Sequence, residues 1–109
     1  MYIYNTTFMV SPSLKTDFLS WLRSEALPRL VNAESPARAP RLTLVADVPG
    51  DPEFAAQACS FAFQTEFESK DDASRWAETY LQPVVGDYTA RFGAEHALCF
   101  ATILEEVPL

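Results

Sequence analysis

Few residues of this chain pair a reactive side chain with a position where chemistry can be done. His96 is the single histidine. It falls between a helical stretch and the last apolar run, where an imidazole can act as acid or base near neutral pH. Asn5 lies in the opening stretch YIYNTTFMV, where a plain core strand would be apolar. Its amide can fix a ligand carbonyl or an enolate, and Thr7 beside it can donate a hydrogen bond. Glu66 becomes a general base if buried against a ligand, because desolvation raises a carboxyl pKa. Asn5, His96 and Glu66 are therefore the catalytic candidates. Each has a plainer alternative. Asn5 and Thr7 can satisfy groups at a subunit interface, His96 can be a partly exposed residue at a strand start, and Glu66 a solvated rim residue. Cys59 and Cys99 are widely separated and form no C-x-x-C element, so they read as small buried hydrophobes. No metal site and no cofactor are expected. Gly50, Gly86 and Gly93 are isolated and build no phosphate-cradling loop.

The elements that hold these residues follow from periodicity. Tyr2 to Val10 reads as a strand, ended by Ser11-Pro12-Ser13, with Ser13 as helix cap. Leu14, Phe18, Trp21 and Leu22 recur at helical spacing. Pro28 is expected to kink or end that helix, with an apolar turn after it. Residues 32–40 read as a loop and Arg41 to Val48 as the second strand. Pro49-Gly50-Asp51-Pro52 marks a turn. The third strand is expected near Gln57 to Phe67. Ser69 caps the next helix, with Asp71 and Asp72 in its first turn. Pro83 interrupts that helix, and a further one through Val84, Tyr88 and Phe92 stops at Gly93. Leu98 to Val107 is the final strand. The order β-α-β-β-α-β predicts an α+β, ferredoxin-like domain over residues 1–109: an antiparallel sheet with two helices on one face.

Strand alternation then sorts the faces. Tyr2, Tyr4, Thr6, Phe8 and Val10 share one side with Phe61, Phe63 and Phe67. Ile3, Asn5, Thr7, Met9, Thr43, Val45, Asp47, Ala62 and Gln64 share the other. This second face is too apolar to leave open and too polar for an ordinary core. It is expected to be an interface with a second copy, or to line a small apolar ligand. The last strand, apolar on both sides, is expected where both faces are covered.

Composition excludes other classes. The chain has 109 residues, 49% of them hydrophobic, which suits one globular core. A net charge of -7 lacks the positive field that nucleic acid or an anionic membrane attracts. With no signal-peptide pattern, no membrane-length apolar run and no disulfide framework, the cytoplasm is the expected compartment.

MYIYNTTFMV, the helix with Trp21 and Leu22, AFQTEF and HALCFATILEEV together resemble a small bacterial family, the domain-of-unknown-function family numbered 4286. The resemblance spans nearly the whole chain. It implies a ferredoxin-like fold near the dimeric α+β barrels, and it brings no accepted activity or catalytic residues. The related barrels include cofactor-free oxygenases, haem-degrading enzymes and ligand-binding proteins. Two functions are therefore expected. One is a homodimeric, non-catalytic or small-ligand-binding module; the other is a cofactor-free monooxygenase or isomerase-like enzyme on a small apolar substrate.

Overall fold

The computed structural model describes residues 1–109, the side chain of residue 55 excepted. Four strands, β1 (Tyr2–Val10), β2 (Arg38–Leu44), β3 (Cys59–Phe67) and β4 (Ala97–Glu105), form one antiparallel sheet in the order β2-β3-β1-β4. Two helix clusters cover one side. The first runs through α1 (Lys15–Trp21), a π turn (Leu22–Ala26) and α2 (Leu27–Leu30). A short α3 (Phe54–Gln57) follows β2. The second cluster runs through α4 (Lys70–Trp76), a π turn (Ala77–Leu81) and α5 (Gln82–Phe92). The principal extents, 37 × 36 × 19 Å, fit one sheet backed by one helical layer.

The expectation of a ferredoxin-like domain assembled as a dimeric α+β barrel is corrected by this sheet. It is open, with β2 and β4 as two unjoined edges. Barrel closure needs tilted, staggered strands whose first and last members meet, and four strands are too few to enclose side chains.

Both prolines sit inside continuous helical runs instead of ending them. A proline lacks the N–H and collides with the carbonyl four residues earlier. Each half widens into a five-residue π turn just before its proline, which relaxes that collision. The spacing is the same in both halves: Trp21 or Trp76, the π turn, one residue, then Pro28 or Pro83. Ser69 caps α4 by accepting a hydrogen bond from the Asp72 N–H (3.1 Å), and Gly93 ends α5 with φ +84°. Ser13, by contrast, lies within a 3-10 turn (Pro12–Leu14) and caps nothing.

The core lies between the sheet and the helices and is largely aromatic. Phe8 meets Tyr88 edge-on (centroids 5.0 Å), and Phe18 packs on Phe61 (5.0 Å). Trp76 packs between Tyr4 and Phe67, and its indole N–H donates to the Leu30 carbonyl (3.0 Å), joining the two helix clusters. The Tyr88 hydroxyl reaches the Met9 and Leu98 carbonyls (3.0 and 3.1 Å), fixing α5 to the β1–β4 seam.

Two threonines break this apolar pattern. Thr6 and Thr65 are fully buried on the helix side, and neither Oγ1 has a hydrogen-bond partner. An orphaned buried hydroxyl is destabilising, while its β-branched frame suits a strand. Thr6→Val and Thr65→Val are each expected to stabilise the fold by about 1 kcal/mol. The check is a higher urea midpoint at unchanged slope. A lower midpoint would mean that these hydroxyls are satisfied in solution.

Candidate functional site

The helices leave the opposite side of the sheet bare, and alternation decides what stands there. Ile3, Asn5, Thr7 and Met9 project from β1, and Ser60, Ala62, Gln64 and Glu66 from β3. Arg41 and Thr43 extend the face onto β2. Leu98, Phe100, Thr102 and Leu104 extend it onto β4. Seven of the nine residues expected on this face are brought together on the strands: Ile3, Asn5, Thr7, Met9, Thr43, Ala62 and Gln64. Val45 stays at the margin, its N–H donating to the Ser60 carbonyl (2.9 Å).

Asp47 does not join them. The second strand runs Arg38–Leu44, three residues earlier than the expected start at Arg41, so Asp47 is exposed in the following loop. The shift has a local cause. A bulge separates Arg38 from Arg41, with Ala39 in the left-handed region (φ +50°) just before Pro40. The bulge lets the chain pair through a proline that a regular ladder excludes. At the other end the turn around Gly50 (φ +88°) draws residues 45–48 off the sheet.

A polar ladder crosses the middle of the face. The Gln64 side-chain N–H donates to Asn5 Oδ1 (3.2 Å), and Asn5 Nδ2 donates to Thr7 Oγ1 (3.2 Å) and Thr102 Oγ1 (3.4 Å). Both amide N–H groups of Asn5 and its carbonyl are thereby engaged. An amide so occupied orients its neighbours rather than polarising a ligand. The donors left over in the ladder are the Thr7 and Thr102 hydroxyl hydrogens and the second side-chain N–H of Gln64.

Of the other catalytic candidates, Glu66 shares the face with Asn5 and His96 does not. His96 is exposed in the turn before β4, and its carbonyl accepts from the Ser11 N–H (3.1 Å). Ser11 is six residues along from Asn5, about 20 Å at the rise of a strand. Glu66 is half-buried at the face's end, opposite Ile3 on β1 and Arg38 on β2. The structure thus does not gather Asn5, His96 and Glu66 into one site. Cys99 lies on the helix side opposite Phe8, and burial pushes its thiol up to about 11, leaving it protonated and a poor nucleophile at neutral pH. Among the described residues, no group of three or more His, Cys, Asp or Glu side chains is placed to hold a metal ion. None of the described helices is long and apolar enough to cross a membrane.

The contribution of β4 is what sequence reasoning missed. Far from being covered on both faces, β4 is an edge, exposed along almost its whole length. Phe100 is 54% exposed and Leu98 51%. Around the polar ladder they form the apolar part of the face with Met9, Ile3 and Leu104. The signal was present in the parity of LCFATILEE: once β4 lies beside β1, Leu98, Phe100 and Leu104 must follow Met9, Thr7 and Ile3. On the helix side the same exposure leaves a shallow cleft of about 310 Å³ between Tyr4, Glu78, Gln82, Ala101 and Ile103.

Solved structures share this fold at low sequence identity. An ethyl tert-butyl ether d (EthD) family protein from Bacillus halodurans superposes with TM-score 0.64 at 16% identity, over 98% of this chain and 100% of the other. Rv0793 from Mycobacterium tuberculosis gives 0.59 at 16%, over 99% and 96%. A MhuD mutant with two manganese protoporphyrin IX bound per active site gives 0.56 at 18%, over 100% and 96%. No curated protein matches the chain. The family model described as Domain of unknown function (DUF4286) matches residues 1–107, and the chain belongs to that family.

Proposed function

We propose that this chain is a non-catalytic homodimeric binding module whose open sheet face is the interface between two copies. The observation that carries it is the composition of that face: exposed Phe100, Leu98 and Leu104 around a polar ladder whose central amide is already satisfied. Large exposed apolar patches mark interaction surfaces. Three strands of nine residues and one of seven span roughly 550 Å² in projection, and relief from side chains brings that towards the ~800 Å² per partner of a standard interface. Charge also favours a second copy. The chain carries -7 overall, yet among the described residues the charged side chains at the strand positions of this face are Arg41, Glu66 and, opposite Glu66, Arg38, all off its centre, so acidic charge does not accumulate there. Two such faces meet without the repulsion that the rest of the surface would impose. In this role no cofactor takes part, and a small apolar ligand can be held where the two faces meet.

Native mass spectrometry of freshly purified protein tests the proposal. The smallest associated species expected is a dimer at twice the 12.2 kDa chain mass. A non-covalent added mass, lost on denaturation, would identify a bound ligand. A monomer at every concentration, with a folded spectrum, would remove the proposal.

A further inference from the structure

Edge strands are normally short, bulged, or guarded by Pro or Lys. β2 carries such guards: Pro40, the bulge between Arg38 and Arg41, and the left-handed Ala39. β4 carries none. It runs ALCFATILE for nine residues without Pro, Lys or Arg, and Ile103 and Ala101 are exposed on its helix side as Phe100 and Leu98 are on the other.

The ladder shows which of its backbone groups are free. The Ser11 N–H donates to the His96 carbonyl before β4, and the Glu106 N–H donates to the Met1 carbonyl after it. Hydrogen-bonded and non-hydrogen-bonded pairs alternate along an antiparallel ladder. Leu98, Phe100, Thr102 and Leu104 therefore turn their N–H and C=O groups to β1. Ala97, Cys99, Ala101, Ile103 and Glu105 turn theirs outward, where β4 has no neighbouring strand.

We propose that β4 pairs antiparallel with β4 of a second copy of this chain, centred on Ala101, so that two open sheets become one. Two-fold symmetry about an axis through the sheet keeps both helical layers on the same side and sets like faces together. Centring on Ala101 engages all five outward residues. Leu98 then stands opposite the partner's Leu104, Phe100 opposite the partner's Thr102, and Cys99 opposite the partner's Ile103. The charged end also fits, because Glu106 comes opposite the partner's His96 and Glu105 opposite the partner's Ala97. Neighbouring symmetric registers are worse. Centring on Phe100 sets Glu105 against the partner's Glu95, and centring on Thr102 sets Glu106 against the partner's Leu98. The seam lies in the plane of the sheet and leaves the open face free, so it is independent of the interface proposed above. The guarded β2 edge limits edge-to-edge pairing to two copies, and face-to-face association of such pairs gives a larger assembly.

Residue-resolved amide hydrogen exchange on the full chain, at millimolar and at low micromolar concentration, reads the seam directly. The amides of Phe100, Thr102 and Leu104 are protected by β1 in any state. Those of Cys99, Ala101 and Ile103 are expected to exchange about 100-fold more slowly at the high concentration. Ala101→Pro removes an outward N–H without touching the β1 ladder, and should return Cys99 and Ile103 to fast exchange. If that variant does not fold, Ile103→Lys, which sets a charge against the partner's Cys99, should do the same. Fast, concentration-independent exchange at the outward amides of the folded protein would overturn the proposal, even if a face-to-face dimer were present.

Discussion

Replacing Trp76 by Ala is expected to destabilise the fold by about 3–5 kcal/mol, the range for deleting a large buried aromatic. Trp76 is only 1% exposed and packs on both Tyr4 and Phe67. Its indole also ties α4 to the end of α2 through the Leu30 carbonyl. A domain of this size has roughly 5–15 kcal/mol in total, so about a fifth or more of its stability goes with one side chain. Trp76→Phe separates the two contributions. It keeps an aromatic ring but loses the N–H. The Leu30 carbonyl still accepts from the Ser35 hydroxyl (2.8 Å), so no buried acceptor is orphaned. A loss of only about 1–2 kcal/mol is expected for that variant. Urea denaturation of the three proteins is the check. A W76F variant as stable as the unmodified chain would mean that the indole N–H does not join the two helix clusters.

The second large effect concerns association. Ala62 stands on β3 in the middle of the open face, between Thr7 and Thr43. Ala62→Arg would bury an unpaired charge in each copy of a face-to-face dimer. The dissociation constant should rise by about 100-fold or more, since an uncompensated buried charge costs about 3–5 kcal/mol. In the monomer the same side chain points to solvent, so the fold itself should tolerate it. The diagnostic pattern is loss of the face-to-face association by sedimentation velocity, with a melting temperature that rises less steeply with protein concentration than that of the unmodified chain. Ala62→Ser, which adds no charge, should leave the dimer intact.

Much of the architecture was legible because its signals are local. Period-two alternation in YIYNTTFMV and SFAFQTEF sorted the faces, and Ser69 and Gly93 marked helix ends through their own chemistry. What the sequence did not reveal depends on neighbours. Pro28 and Pro83 read as breaks because the π turns that absorb them have no residue signature. Asp47 reads as part of the sheet because the run RLTLVADV alternates well, while the bulge at Ala39 that shifts the strand sits in a stretch that reads as loop. β4 reads as an interior strand because it is apolar on both sides. Its position at the edge is a property of strand order, and the same apolar character there marks an interaction surface. The candidate site was half legible for the same reason: β1 and β3 gave Asn5, Thr7 and Gln64, and only the order of the strands added Thr102, Phe100 and Leu98.

The most direct test of the open face as an interface uses the two methionines as reporters. Met9 lies half-buried on that face, and Met1 is exposed outside β1. Their oxidation by dilute peroxide, followed by peptide mass spectrometry across a protein dilution series, compares the face with free surface in one molecule. Met9 should become protected as concentration rises while Met1 oxidises at a constant rate. Equal, concentration-independent oxidation of Met9 from micromolar to millimolar protein would contradict the proposed interface.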